Sequence, residues 1–246
     1  MKGITKLALA AGLAVCAGPA LASVTNGDFE TGDFTGWSTI GDASVVGAGF
    51  GTGPLGGSSN GLITTGFGSV AEGSIESFLG IAAGTLDGLA QTNGAQNLGV
   101  TEGSAMKTSY TGQAGDVISF DFQLLSNDCG PTLPGCAGIE DYGFFSIAID
   151  GVTQVLGGTF DSSNTASSTV YVAESDVFSE EYTLATSGLV EIGFAVLDGG
   201  DTVVDSALLV DNVAVSPIPV PPSIAALGLG LMGLGFRMRA ASRRKS

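Results

Sequence analysis

The sequence contains no histidine, and basic residues are almost absent from its middle. Without histidine the Ser-His-Asp and Cys-His catalytic arrangements cannot form, and a zinc hydrolase would lack its usual ligand. Residues 23–219 hold all 24 acidic side chains and a single basic one, Lys107. This charge repels phosphate backbones, so no binding to nucleic acid is expected. The acidity indicates either solubility in a saline medium or cation-dependent contacts, and it does not identify a binding partner.

Residues 1–22 have the features of a secretory signal peptide. A basic start precedes an apolar stretch from Leu7 to Val15 and a small-residue site that ends at Ala22. We expect cleavage between Ala22 and Ser23, and therefore an exported protein with an acidic ectodomain over residues 23–216. A lipoprotein box at Leu13–Cys16 is the weaker alternative, because bulky Val15 occupies a small-residue position.

Residues 217–246 form a second segment of unusual composition. A proline-rich hinge is followed by an uncharged run over residues 223–236 and a basic tail over residues 237–246. Fourteen helical residues cover roughly 21 Å of a ~30 Å hydrocarbon core, which makes a short, marginal transmembrane helix. A basic tail favours the cytoplasmic side, so we expect the helix to lie in the inner membrane with the ectodomain facing outward.

This three-part tail resembles that of the PEP-CTERM proteins, which a membrane protease called exosortase sorts. The resemblance rests on Pro219, Val220, Pro221 and Pro222, on the Gly/Leu-rich run after them and on the Arg cluster from Arg237. The family motif Val-Pro-Glu-Pro has no Glu here, and the tail is closer to variants that read Val-Pro-x-Pro. The resemblance implies an exosortase-like partner, attachment to the membrane or cell surface, release after cleavage near the hinge, and association with exopolysaccharide and biofilm.

The ectodomain has the pattern of an all-β fold. Short apolar runs alternate with polar residues and are separated by Gly, Asn and Asp, which predicts strands over residues 117–125, 143–150, 168–172, 180–185, 189–197 and 206–215. Asp150-Gly151 predicts a two-residue hairpin turn. The looser region 41–103 predicts long loops around two or three strands, with one helical turn over residues 74–79 that ends at Gly80.

Cys129 and Cys136 enclose a loop between two predicted strands. In an exported protein two cysteines this close usually pair, and a disulfide would contribute roughly 2–3 kcal/mol in the chain-entropy model. Free thiols and half of a metal site are the alternatives, although no His is present to complete a mixed site.

Two segments resemble the first and last strands of jelly-roll carbohydrate-binding modules: Asn26-Gly27-Asp28-Phe29-Glu30 with Gly36-Trp37, and residues 208–213. The resemblance implies a jelly-roll-like β-sandwich with a structural calcium ion held by Glu30 and Asp211, together with Asp28. Hard oxygen ligands suit Ca²⁺. The alternative is that these carboxylates are solvated turn residues. Trp37 is a candidate glycan contact, but its place beside the first strand favours packing in the core.

Three functions follow from these features. The main one is a non-enzymatic surface or matrix protein with a structural or adhesive role, and the alternative is a lectin-like carbohydrate-binding module. A secreted glycosidase is the least favoured, since the acid pairs Glu140-Asp141, Glu180-Glu181 and Asp198 with Asp201 are frequent in any chain this acidic. No catalytic residue is assigned.

Overall fold

A computed structural model describes residues 23–92, 99–127, 141–160, 165–200 and 202–218. The signal peptide, Cys129, Cys136 and residues 219–246 lie outside this part, so the signal cleavage, the disulfide, the sorting motif and the C-terminal helix stay predictions. Within the described part, no helix has the length and apolar character needed to cross a membrane.

The described part is built mainly of strands, with two short helices between β4 and β5. The elements are β1 (Trp37–Ile40), β2 (Asp42–Gly47), β3 (Ser59–Thr64), β4 (Val70–Ala71), α1 (Glu72–Leu79), α2 (Thr85–Thr92), β5 (Val100–Gly112), β6 (Val117–Ser126), β7 (Tyr142–Ile149), β8 (Val152–Phe160), β9 (Thr165–Ala166), β10 (Ala173–Glu174), β11 (Phe178–Thr183), β12 (Gly188–Gly199) and β13 (Ser206–Ser216).

The strands form two antiparallel sheets. Sheet A has the order β1-β5-β12-β7-β8, with β4 also paired to β5, and sheet B has the order β2-β3-β13-β6-β10-β9, with β11 also paired to β6. Neighbours in both sheets are mostly distant in sequence, as β13 is when it pairs with β3 and β6. The expected all-β, jelly-roll-like sandwich is confirmed.

The main core lies between the sheets and follows from the period of two along each long strand. In β6 alternate residues from Ile118 to Leu124 are buried, and in β12 alternate residues from Val190 to Val196 are buried. The rings of Phe120 and Phe194 meet edge to face at 5.0 Å between centroids. A fully buried Phe contributes about 1.5–3 kcal/mol, so these rings are major contributors to stability.

Apolar residues also lie on the outer faces of both sheets. On sheet A, helices α1 and α2 cover Tyr142 and Phe144. On sheet B, Tyr171 and the segment around Phe50 pack against Leu209. These outer layers cover part of the two sheet faces, while strand residues such as those of β11 and the loops at the strand ends remain exposed.

Helix α2 was not expected from the sequence, and a contact from α1 explains why it forms. The carboxylate of buried Glu76 accepts hydrogen bonds from Gly84 N at 2.9 Å and Leu86 N at 3.0 Å, which are donors at the α2 N-terminus. Such donors have no partner within their own helix, and a negative charge there is favourable. The expected helical turn is confirmed as α1, which ends at Gly80 in the left-handed conformation.

Most strand predictions agree with the structure, and one is wrong. Residues 168–172 form no continuous strand, because local side-chain bonds replace ladder bonds: Ser167 Oγ accepts from Thr169 N at 3.1 Å, and Thr169 Oγ1 accepts from Tyr171 N at 3.0 Å. The Asp150-Gly151 hairpin is confirmed, with positive φ at both residues and Ile149 paired to Val152.

Candidate functional site

The segment before β1 folds into a compact turn that fixes the candidate residues near the N-terminus. Asn26 has φ +52°, its side chain donates to Asp33 O at 2.8 Å, and its Oδ1 accepts from Thr31 N at 3.2 Å. The turn directs the Phe29 ring into the core and leaves Glu30 exposed. Val213 N donates to Gly27 O at 2.9 Å, which joins the turn to β13.

Trp37 belongs to the core. Its side chain is 9% exposed, its ring lies 5.0 Å from that of Phe29, and its Nε1 donates to Asn26 O at 3.0 Å. A ring packed in this way cannot offer a face to a sugar. The structure thus agrees with core packing and does not support Trp37 as a glycan contact.

Glu30 and Asp211 approach the same loop, which precedes β3. Glu30 Oε1 accepts from Ser58 N at 2.6 Å and Ser59 N at 3.1 Å, and Asp211 Oδ2 accepts from Gly56 N at 2.7 Å. A Cβ on Gly57 would come within 2.2 Å of Glu30 Oε1, so only glycine permits this approach. The tertiary structure brings the two predicted carboxylates to one place.

The two carboxylates have opposite electrostatic environments. Asp211 is fully buried, and burial raises its pKa to about 6 against the lowering effect of hydrogen bonds from Asn212 and Gly56, with the charges of Glu30 and Asp121 raising it further. Hydrogen bonds from Ser58 lower the pKa of exposed Glu30. Among the described residues the only lysine, Lys107, forms its ion pair with Glu191, so it does not compensate the charges of Glu30 and Asp211.

These residues fit a calcium ion in part. No group of three or more Asp, Glu, His or Cys side chains in the described ranges is arranged to hold a metal. Asp28 Oδ1 instead accepts from Glu30 N at 3.4 Å, a local turn contact. Two hard carboxylates beside a glycine loop are nevertheless a suitable donor set for Ca²⁺ when backbone oxygens or water complete it. Calcium at Glu30 and Asp211 stays a prediction.

A second feature, which the sequence analysis missed, lies at the turn between β3 and β4. We call residues 65–69 the Phe67 turn. Ser69 N donates to Gly66 O at 3.0 Å, Gly68 has φ +113°, and the Phe67 side chain is fully exposed to solvent. Phenylalanine is usually buried, whereas here the whole ring is accessible to solvent at the tip of a turn.

Two carboxylates flank the Phe67 turn. A Cβ on Gly66 would lie 3.4 Å from Asp205 Oδ2, and a Cβ on Gly68 would lie 3.7 Å from Asp42 Cβ. Burial raises the pKa of Tyr171, and the nearby charges of Asp205 and Asp42 raise it further. The exposed ring of Phe67 is therefore carried by a turn that has Asp42 and Asp205 on either side.

The only basic residue of the ectodomain does not neutralise this surface. Lys107 Nζ forms an ion pair with Glu191 Oε1 at 3.0 Å and lies 5.1 Å from the centroid of the Phe78 ring. Its charge is thus engaged on the helix-covered side of sheet A.

The sequence offers one signal for the Phe67 turn. It is a bulky aromatic residue between two glycines in the polar stretch Thr65-Gly66-Phe67-Gly68-Ser69, where apolar and polar residues do not alternate as in a strand.

Of the acid pairs considered for a glycosidase, only Glu180-Glu181 lies wholly within the described residues. Glu180 and Glu181 are consecutive residues of β11, so their side chains point to opposite faces of the strand. Asp141 is buried and accepts hydrogen bonds from Ser206 Oγ and from Gly199 N, the latter at 3.0 Å. Glu140 and Asp201 lie outside the described residues, and Asp198 is buried.

Comparisons with known proteins return structural similarity only. No protein-family model matches the chain, and no curated protein matches its sequence. The structure is similar to a Caldicellulosiruptor saccharolyticus CBM27-1 in complex with mannohexaose, with a TM-score of 0.44, 11% identity, and coverage of 79% of this chain and 97% of that one. TmCBM61, solved with beta-1,4-galactotriose, gives a TM-score of 0.41 and 13% identity over 78% of this chain and 95% of that one.

A third similar structure is the K1 cleaved adhesin domain of Lys-gingipain from Porphyromonas gingivalis W83. It gives a TM-score of 0.42 and 11% identity over 81% of this chain and 100% of that one. At these values the similarity carries no conclusion about the ligand or activity of this chain.

Proposed function

We propose that this chain is an exported surface protein whose β-sandwich binds polysaccharide and performs no catalysis. The observation that carries the proposal is the fully exposed ring of Phe67 at the tip of a loop, with Asp42 and Asp205 beside it. An aromatic face provides apolar area for a sugar ring, and carboxylate oxygens accept hydrogen bonds from hydroxyl groups. This favours the lectin-like alternative over a purely structural role.

The covered outer faces of the two sheets also favour binding at a loop such as the Phe67 turn. Helices α1 and α2 cover part of the outer face of sheet A, and the segments around Phe50 and Tyr171 cover part of the outer face of sheet B. These segments leave little room for a polysaccharide to bind along a groove across either sheet. The loops at the ends of the strands remain accessible to such a ligand. Ligand sites commonly lie on loops held by a rigid scaffold.

The test is retention of the purified full chain, in detergent, by a panel of insoluble polysaccharides that includes the producing cell's own exopolysaccharide. We expect binding to at least one neutral polysaccharide and its loss in Phe67→Ala. Leu189→Ala is the matched control, because Leu189 is an exposed apolar residue at the start of β12, away from the Phe67 turn. A protein that binds none of these polymers would contradict the proposal.

Export and sorting form the second part of the proposal, and they rest on sequence features alone. We propose cleavage after Ala22, insertion of residues 223–236 into the inner membrane, and processing by an exosortase-like protease near Pro219–Pro222. A role in biofilm or matrix follows from polysaccharide binding at the cell surface. Intact mass of the native protein in membrane and medium fractions tests this: a C-terminus near the proline hinge supports sorting, and a chain that ends at Ser246 contradicts cleavage.

A further inference from the structure

The strongest feature not explained by the fold is the Phe67 ring itself. Its side chain is fully exposed, and Val203 in the neighbouring loop is also largely exposed. An aromatic side chain gains stability by burying its large apolar area, and Phe67 obtains none of this gain. An exposed ring on an ordered loop tip provides an apolar surface on which a ligand could pack.

The turn that carries the ring is held firmly by the sandwich. Thr65 N donates to Ser206 O at 2.9 Å, and Ser206 N donates to Thr65 Oγ1 at 2.9 Å, which joins the turn to the start of β13. Ser104 Oγ donates to Thr64 O at 2.6 Å from β5. Both sheets therefore fix the base of the turn, and a ligand would meet a ring whose backbone is already ordered.

Hydrogen-bonding groups at the site are acceptors that carry negative charge. Asp205 is exposed beside Gly66, and Asp42 Oδ2 accepts from Thr64 Oγ1 at 2.5 Å, which holds the Asp42 carboxylate at the start of the turn. Thr64 Oγ1 in turn accepts from Gly66 N at 3.0 Å. The carboxylates are thus tied to the same short turn as the ring.

The ectodomain as a whole is also strongly acidic, like the surroundings of the Phe67 turn. Lys107 is its only basic residue and is paired with Glu191. A uronate or sulfate group near Asp42 and Asp205 would meet like charges, and the one Lys of the described residues is engaged elsewhere. At ordinary ionic strength this repulsion acts over roughly 8 Å. A ligand with hydroxyl groups and no negative charge meets no such barrier.

We propose that the Phe67 turn is a sugar-binding site selective for uncharged polysaccharide. Phe67 stacks on a sugar ring, Asp205 and Asp42 accept hydrogen bonds from its hydroxyl groups, and the same carboxylates reject acidic polymers. This inference rests on the proposed polysaccharide binding and adds the roles of the two carboxylates and the charge class of the ligand. Exclusion of the wrong ligand by like charge is a common source of specificity.

The experiment compares neutral and acidic polymers of related backbones by affinity gel electrophoresis of the full chain at low ionic strength. The pairs are hydroxyethyl cellulose with carboxymethyl cellulose, mannan with alginate, and galactan with polygalacturonate, without divalent cations that would bridge carboxylates. We expect retention by at least one neutral polymer and at least about tenfold weaker retention by its acidic partner, since the repulsion is least screened in this buffer. Phe67→Ala should abolish retention, and Leu189→Ala should retain it.

Charge variants test the selectivity separately from the stacking. Asp205→Asn removes an exposed carboxylate, so the fold should be kept. The ratio of the affinity for neutral polymer to the affinity for acidic polymer should fall in this variant. The double variant Asp42→Asn with Asp205→Asn should lower that ratio further. Unchanged melting temperatures identify variants that are folded.

The outcomes distinguish this inference from the proposed function. If the wild type binds no polysaccharide, the proposed function fails and this inference fails with it. If the wild type binds but Phe67→Ala binds equally well, the function stands and the site is wrong. If acidic polymers are retained as strongly as neutral ones, the charge class is wrong.

Discussion

Two regions of this protein combine an aromatic side chain with carboxylates, and they use the combination in opposite ways. In the first-strand corner (residues 26–37 with residues 56–59 and 211–213), Trp37 and Phe29 point into the core, and the carboxylates of Glu30 and Asp211 bind backbone N–H groups. In the Phe67 turn, the ring points into solvent beside Asp42 and Asp205. The first arrangement stabilises the fold, whereas the second leaves the same chemical groups accessible to a ligand.

The comparison shows that residue type does not distinguish a structural aromatic from a recognition aromatic. Tryptophan is the aromatic that sequence reasoning would first assign to sugar binding, but Trp37 has ring neighbours on both sides of the corner, Phe29 at 5.0 Å and Phe194 at 6.2 Å. Phe67 forms no ring contact in the described residues. Burial, and therefore function, depends on where the chain places each ring.

The largest effect is expected at the first-strand corner. Trp37→Ala should lower the free energy of unfolding by about 3–5 kcal/mol, because it removes a large buried side chain and leaves a cavity next to Phe29 and Phe194. Trp37→Phe should cost less, since it keeps a ring but loses the hydrogen bond to Asn26 O. Chemical denaturation measures both. A loss below about 1 kcal/mol in Trp37→Ala would contradict the structural role of the corner.

An intermediate effect is expected from calcium at the same corner. The pKa of Asp211 is raised to about 6, so protonation of Asp211 favours the folded state; this contribution is fully present below pH 3.8 and is lost as the pH rises through about 6. Above pH 6 both Asp211 and Glu30 are ionised, and a bound cation would reduce the repulsion between their carboxylates. At a calcium concentration 100 times its Kd, stability should rise by about 2.7 kcal/mol, an increase on the order of 5–10 °C in Tm.

The measurement is Tm with calcium and with chelator at pH 7.5 and pH 4.5. We expect the calcium-induced rise at pH 7.5 to shrink at pH 4.5 and to disappear in Asp211→Asn. Asp176→Asn is the control with the same change of charge at an exposed position. An unchanged Tm on chelation at pH 7.5 would show that Glu30 and Asp211 serve only to bind backbone N–H groups and that no calcium binds.

The smallest effect on stability is expected at the Phe67 turn. Phe67→Ala should change the free energy of unfolding by no more than about 0.5 kcal/mol, because the exposed side chain makes no packing contact to lose. Chemical denaturation alongside Trp37→Ala provides the direct comparison. A cost of 2 kcal/mol or more would show that Phe67 is a structural residue and would remove the basis of the proposed sugar site.

Much of the sandwich could be predicted from the chain. Strands β6, β7, β12 and β13 follow from apolar runs of strand length with partial alternation, although much of β7, β12 and β13 is buried on both faces. The Asp150-Gly151 turn and the Gly80 helix end follow from backbone conformations that few residues adopt. Helix α2 could not be predicted in this way, because the carboxylate that caps its N-terminus belongs to Glu76 on another helix.

The candidate sites were predicted less completely. The resemblance to jelly-roll modules selected Glu30 and Asp211, and the fold brings both to the loop before β3. Asp28 was selected too, but its carboxylate serves the local turn. The Phe67 turn was missed, because a single aromatic between glycines has no periodic pattern that indicates whether it is buried.

The sequence by itself determined the absence of histidine chemistry, the acidity of the ectodomain, the long strands and the tight turns. Each depends on composition or on contacts within a few residues. The burial of Trp37 and the pairing of Glu30 with Asp211 were expected, whereas only the tertiary structure decided that Phe67 is exposed and that the Asp211 carboxylate is fully buried. These outcomes depend on pairing between strands that are far apart along the chain. Burial and electrostatic environment are properties of that assembled arrangement and are not encoded in any single segment.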